Sequence, residues 1–192
     1  MTILKTLALF GVAIILNACG EKPAENTQTT PVVDTVTAAP APTETSEQAS
    51  QRKFDGYSDD FKKLMLSFKG DIREMPLYIK KDELKTKETA QLVEDKNDKM
   101  LYKLELNQTE HATITYGFAN NELKTISIVV KIDTQEDYGK LEAELIDFFT
   151  HKFGQADELA DKGEVWNIQG KHQIDIIDRS TKTEFKLEVD IQ

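Results

Sequence analysis

Cysteine occurs once, at position 19, in a chain of 192 residues. No intramolecular disulfide can form, so packing alone must hold whatever folds here. Proline is nearly confined to the first 52 residues, at Pro23, Pro31, Pro40 and Pro42; only Pro76 lies beyond them. Basic residues are in deficit, 24 against 34 acidic ones, for a formal charge of −10. Phosphate recognition needs a basic face, so nucleic acid is excluded as a partner. Electrostatic docking on anionic lipid is excluded on the same ground. The apolar run at residues 6–16 is eleven residues long, against the roughly 20 that a bilayer-spanning helix needs. Catalytic motifs are lacking too. There is no Gly-x-Ser-x-Gly, no phosphate-cradling glycine loop and no His-Glu-x-x-His. The three histidines, His111, His151 and His172, have no familiar metal spacing. No cofactor, metal or catalytic residue is expected.

What is present begins with an export signal. Lys5 precedes the apolar run, and Leu16-Asn17-Ala18-Cys19 closes it. That tetrad resembles the lipobox of bacterial lipoproteins. The resemblance implies a diacylglycerol thioether on Cys19, cleavage just before it, and stable anchoring by several acyl chains. Gly20, rather than aspartate, follows the cysteine. By similarity to Gram-negative sorting, this favours the outer membrane, facing the periplasm. Three parts follow: residues 1–18 as signal peptide, 19–52 as lipidated cysteine and tether, and 53–192 as one globular domain. The tether is rich in Thr, Pro, Ala and Glu, with few apolar residues and no period. It is expected to be disordered and to span roughly 30 Å root-mean-square.

The domain carries a charge of −8, because three bases and five acids lie in the first 52 residues. Ser58 can cap a helix whose Phe61, Leu64, Met65 and Phe68 share one face, with Gly70 at its stop. Residues 88–93 form a weak candidate strand. Residues 100–106, 112–118 and 126–132 alternate apolar and polar, as half-buried strands do. Tyr116 and Ile126 should share a face, which requires an odd loop, Ala119-Asn120-Asn121, rather than a two-residue Asn-Asn turn. A second helix starts at Asp133 or Thr134 and ends at Gly154. Its stripe is Tyr138, Leu141, Leu145, Phe148 and Phe149. Three more strands follow, at 165–169, 172–178 and 183–191. The expected class is α+β: an antiparallel meander with two helices on one face, in the order α-β-β-β(-β)-α-β-β-β. Phe68-Lys69-Gly70 and Phe153-Gly154 end the two helices similarly, which makes a diverged repeat conceivable. The element order resembles beta-lactamase-inhibitor-protein-like lipoprotein domains; the resemblance implies an architecture and transfers no activity.

Candidate sites are few. Asp133, Gln135, Asp137 and Glu144 approach a calcium-loop spacing, but the required glycine is displaced and helix periodicity has already begun. They are read as a helix start. Asp161, Asp175 and Asp178 are scattered acids, read as solvated. The solvent face of the meander is the candidate binding surface: Lys103, Glu105, Thr113, Thr115, Thr125, Ser127 and Lys131. Small hydroxyl residues over a flat sheet suit a protein or a glycan. The expectation is a non-catalytic, protein-binding lipoprotein of the envelope, held to the membrane by its lipid and acting on an envelope protein in assembly or maintenance. The alternative is a tethered inhibitor or immunity protein against an exported enzyme or toxin. An enzyme assembled from His172 or the acids at 175–178 is a third.

Overall fold

The computed structural model describes residues 45–159, 163–168 and 172–192. The signal, Cys19 and most of the tether lie outside them.

Among the described residues there are four helices, where two are expected. α1 (Ser46–Asp55) begins inside the stretch read as tether. Thr45 and Gln48 make a reciprocal capping box, and Phe54 is buried. α2 (Asp59–Met65) is capped by Ser58 as anticipated. It stops at Leu66, not at Gly70, because Leu66 turns to a φ of 66°. α3 (Lys81–Lys87) buries Leu84; its polar sequence carries no apolar stripe to announce it. α4 (Gln135–Phe153) is capped by Thr134 and closed by Gly154 at a φ of 94°.

The strands are β1 (Gln91–Asp95), β2 (Lys99–Glu105), β3 (His111–Ala119), β4 (Glu122–Ile132), β5 (Asp157–Leu159), β6 (Gly163–Ile168), β7 (His172–Asp178) and β8 (Phe185–Ile191). They make one antiparallel sheet in the order β1-β2-β3-β4-β8-β7-β6-β5. Each half contains four strands, so the second half has one more than expected. The extra strand, β5, has only three residues and shows no readable alternation. The order is that of two helix-plus-meander halves joined through their last strands, with Ile126 facing Ile191 and Ile132 facing Phe185.

Register at the β3–β4 hairpin corrects the expected loop. Ala119 pairs with Glu122, so the turn is the two-residue Asn120-Asn121, with φ of 54° and 62°. Those angles fit a type I′ turn. Tyr116 still faces Ile126, because the register shifts between Gly117 and Phe118. The bulge supplies the odd residue that parity demands. The preceding loop, Asn107-Gln108-Thr109, has three residues and is held by the Leu106 N–H donating to the Glu110 carbonyl at 3.0 Å.

The helices cover one sheet face. The five stripe residues of α4 are buried, and its end is tied down where the Trp166 Nε1–H donates to the Gly154 carbonyl at 3.0 Å. α1 and α2 dock on α4 through polar pins around an aromatic cluster. The Tyr57 hydroxyl and Lys53 Nζ both reach Asp147, at 2.7 and 2.9 Å. The Ser58 N–H and Oγ donate to Glu144 at 2.8 and 2.6 Å.

Between α2 and α3 the backbone is unusually contorted. Leu66, Gly70, Arg73, Glu74 and Tyr78 all have positive φ. Gly70 is required there, since an added Cβ would lie 2.7 Å from the Glu74 carbonyl carbon. A fully buried ion pair closes this segment. The Arg73 and Glu88 side chains are both 0 % exposed and 2.6 Å apart.

A candidate protein-docking face

Strand alternation sends one set of side chains to the helices and the other to the opposite face of the sheet. The cross-strand register orders that second set into rows. In one row Lys103 faces Thr113, Thr113 faces Val129, Val129 faces Glu188 and Glu188 faces Ile177. In the next, Leu101 faces Thr115, followed by Ser127, Asp190, Asp175 and Val165. A third row holds Glu105, His111, Lys131 and Lys186. Thr125 faces Gly117, where a Cβ would meet the Thr125 hydroxyl oxygen at 2.3 Å. All seven residues of the sequence-derived binding surface therefore share one face, and it is the face opposite the helices.

Its charges are not evenly spread. The half built from β1–β4 carries the hydroxyl residues and Lys103 and Lys131. These lysines are locally paired, Lys103 with Glu105 at 2.6 Å and Lys131 with Glu184 at 3.1 Å. The half built from β5–β8 carries Glu188, Asp190 and Asp175. Arg179 binds Glu188 at 2.6 Å. Asp175 is 7 % exposed and accepts from the Gln173 amide at 2.8 and 3.0 Å. Burial pushes the Asp190 carboxyl above its usual range; Glu188 and Asp175 push the same way, while the Ser127 hydroxyl and Arg179 pull it down.

No protein-family model, curated protein or solved structure matches this chain.

The remaining sequence candidates do not converge. His111 lies on the sheet face beside Lys131, whereas the His172 ring sits 6.0 Å from Tyr78 and the His151 ring 5.4 Å from Phe68. Asp175 and Asp178 fall on opposite faces of β7, three residues apart along a strand. Asp161 is outside the described residues. The calcium-like spacing is a helix start. Thr134 accepts from the Asp137 N–H at 3.1 Å, and Glu144 is occupied by Ser58. Among the described residues, no group of three or more His, Cys, Asp or Glu could hold a metal. Asp190 facing Asp175 is the pairing that the sequence analysis missed. The parity of the β7–β8 hairpin carried the signal, since Asp178 opposite Leu187 fixes Asp175 opposite Asp190.

One titrating group lies on the helical side. Lys152 Nζ donates to the Gly70 carbonyl and, at 3.3 Å, to that of Asp71. It sits 5.6, 5.3 and 5.4 Å from the ring centres of Phe68, Phe148 and Phe153. Burial pushes its pKa down to about 8, against the pull of the Asp71 carboxylate. Below pH 8 the ammonium is charged in both folded and unfolded states, and its burial cost is fully present. Between pH 8 and about 10.4, the unfolded chain binds more protons, so stability rises with pH. A gain of about 1–3 kcal/mol is expected between pH 7.5 and 10, read from urea midpoints. Lys152→Met should lack the rise, and a flat wild-type profile contradicts the assignment.

Proposed function

We propose that this chain is a membrane-anchored envelope lipoprotein whose α+β domain binds another protein through the sheet face opposite its described helices. It acts without catalysis, in envelope assembly or maintenance, from the periplasmic side of the outer membrane. The observation that carries the reading is the division of the sheet into two faces. Helices bury one, while eight strands present the other with hydroxyl residues, flanking charges and apolar patches at Leu101, Val129 and Ile177. Protein interfaces are commonly of this mixed polar and apolar character. Cys19 and the leader before it support the anchor.

A photo-crosslinking residue at Thr115, in the full lipidated chain, tests the reading. Thr115 should capture one defined envelope protein, while the same group at Ala143, on the exposed side of α4, should not. Equal capture from both positions, or none from Thr115, contradicts docking on the sheet. Cys19→Ala should leave the membrane fraction; retention there contradicts the anchor. An exported enzyme or toxin as the captured protein would make the domain an inhibitor acting through the same face.

A further inference from the structure

We infer that Asn107 is an acceptor for N-linked glycosylation, and that the sugar donor is a polyprenyl-diphosphate-linked oligosaccharide. The inference rests on the export half of the reading above, since this modification marks surface loops of exported chains. It does not rest on the docking face.

Of the seven asparagines, Asn107 alone is followed two residues later by serine or threonine, in Asn107-Gln108-Thr109, and the residue between is not proline. Two residues before it stands Glu105, an exposed carboxylate. The bacterial form of this acceptor motif has an acid at that place. So short a motif recurs by chance, and its setting decides. Asn107, Gln108 and Thr109 are all exposed, and their loop is closed by the Leu106 N–H donating to the Glu110 carbonyl at 3.0 Å. The loop stands at the end of the sheet, beyond the pairing of Glu105 with His111. A glycan there would extend past the rim of the docking face and leave Thr113 and Thr115 clear.

Local hydrogen bonds hold the acceptor side chain in place. Asn107 Oδ1 accepts from the Thr109 N–H at 3.0 Å, the Glu110 N–H at 2.9 Å and the Thr109 hydroxyl at 3.3 Å. Its Nδ2 donates one hydrogen to the Glu110 carboxylate at 2.6 Å, and the amide carries a second. Donors on Oδ1 polarise the amide and make its N–H groups more acidic; loss of one proton frees the nitrogen lone pair for attack. In the transfer, Nδ2 attacks the anomeric carbon of the donor. The Nδ2–C1 bond forms, the C1–O bond to the diphosphate breaks, and polyprenyl diphosphate leaves with that electron pair. The amide proton passes to a carboxylate of the transferase. The step needs no oxidant or reductant. Valine at position 109 would keep the branched shape and the N–H bond to Oδ1 while removing the hydroxyl.

The test is mass spectrometry of the full chain purified from fractionated cells of its own host. Trypsin should release residues 104–124 as one peptide, since no Lys or Arg lies between Lys103 and Lys124. That peptide should carry a sugar mass localised to Asn107. Asn107→Gln and Thr109→Val should lose the sugar completely, and Thr109→Ser should keep it. Thermal midpoints of the two threonine variants should match each other, which separates a lost acceptor from a lost fold. A bare 104–124 peptide in the envelope fraction, a sugar confined to other residues, or a sugar that persists in Thr109→Val overturns the assignment. If the bare chain lies in the cytoplasm instead, the export reading falls and the inference falls with it. Crosslinking from Thr115 is read separately, so a failure of docking leaves the result at Asn107 standing.

Discussion

Replacing Arg73 with methionine should destabilise the domain by about 3–5 kcal/mol, the cost of leaving one member of a buried ion pair behind. The Arg73 guanidinium donates to Glu88 at 2.6 and 3.0 Å and to the carbonyls of Lys63 and Leu64 at 2.9 and 2.6 Å. Those carbonyls lie in the last turn of α2, where no further helical N–H follows to satisfy them. Glu88 accepts in addition from the N–H groups of Thr89 and Ala90, both at 2.7 Å, and from the Tyr116 hydroxyl. The Arg73–Glu88 pair therefore joins α2, the positive-φ segment, the residues just before β1 and the middle of β3.

Burial alone would raise the Glu88 carboxyl, but Arg73 and Tyr116 outweigh it and hold the group below its usual range. In the wild type, this contribution is present above the unfolded pKa of about 4.3 and is lost as pH falls through the depressed folded value. Arg73→Met should reverse the sign. Its Glu88, buried without a cation, should protonate more readily in the folded state, so the deficit of the variant should shrink towards pH 4. Arg73→Met/Glu88→Leu should recover part of the loss at neutral pH, because no orphaned charge remains. Urea unfolding of the three proteins at pH 4 and 7 measures all of this. A neutral-pH loss below about 1 kcal/mol would show that the network contributes little.

Phe148→Ala should cost about 3–5 kcal/mol. Phe148 is fully buried, and its ring lies 6.4 Å from Phe54, 6.3 Å from Tyr57, 5.4 Å from Phe61, 4.9 Å from Phe68 and 5.2 Å from Phe149. The cavity would open where α1, α2 and α4 meet, and its rigid aromatic neighbours could not easily collapse into it. The damage should be local first. α1 has ten residues, shorter than the roughly 12–15 at which an isolated helix becomes even marginal in water. Phe54 and the pins to Asp147 attach it to the rest. Hydrogen exchange in residues 46–55 should therefore rise more than in β3 or β4. Uniform acceleration across the sheet would contradict this view of α1 as a docked appendage.

Legibility differed between elements for identifiable reasons. α4 announced itself fully, because a long amphipathic helix repeats its signal over five turns and Thr134 and Gly154 mark its ends. The alternating strands β2, β3, β4 and β8 were equally plain, since one wet face imposes a period of two. α3 and β5 were hidden. A seven-residue polar helix and a three-residue edge strand are too short to show any period. α1 was hidden differently. Its sequence carries one buried residue, Phe54, and it is helical because α4 offers that ring a place.

The Asn120-Asn121 turn shows where parity reasoning stops. Hydrophobic alternation required that Tyr116 and Ile126 share a face, and they do. How the chain met that requirement was underdetermined, because an odd loop and an even turn with a bulge satisfy it equally. The type I′ twist matches that of the strands, and the bulge accommodates the remainder.

The sequence by itself determined the α+β class, the antiparallel meander, and which residues point away from the helices. These follow from local periodicity, and periodicity survives in a linear string. Tertiary structure decided the joining of β4 to β8, the buried Arg73–Glu88 pair and the row from Thr115 through Asp190 to Val165. Each brings together residues that no local period relates, through strand pairings between distant segments or through loops of positive φ. The sequence also carries a lipobox-like signal at Cys19, and it makes the acids of the sheet visible one by one. Folding alone sets two of those acids face to face, because only the pairing of strands turns separate residues into a surface.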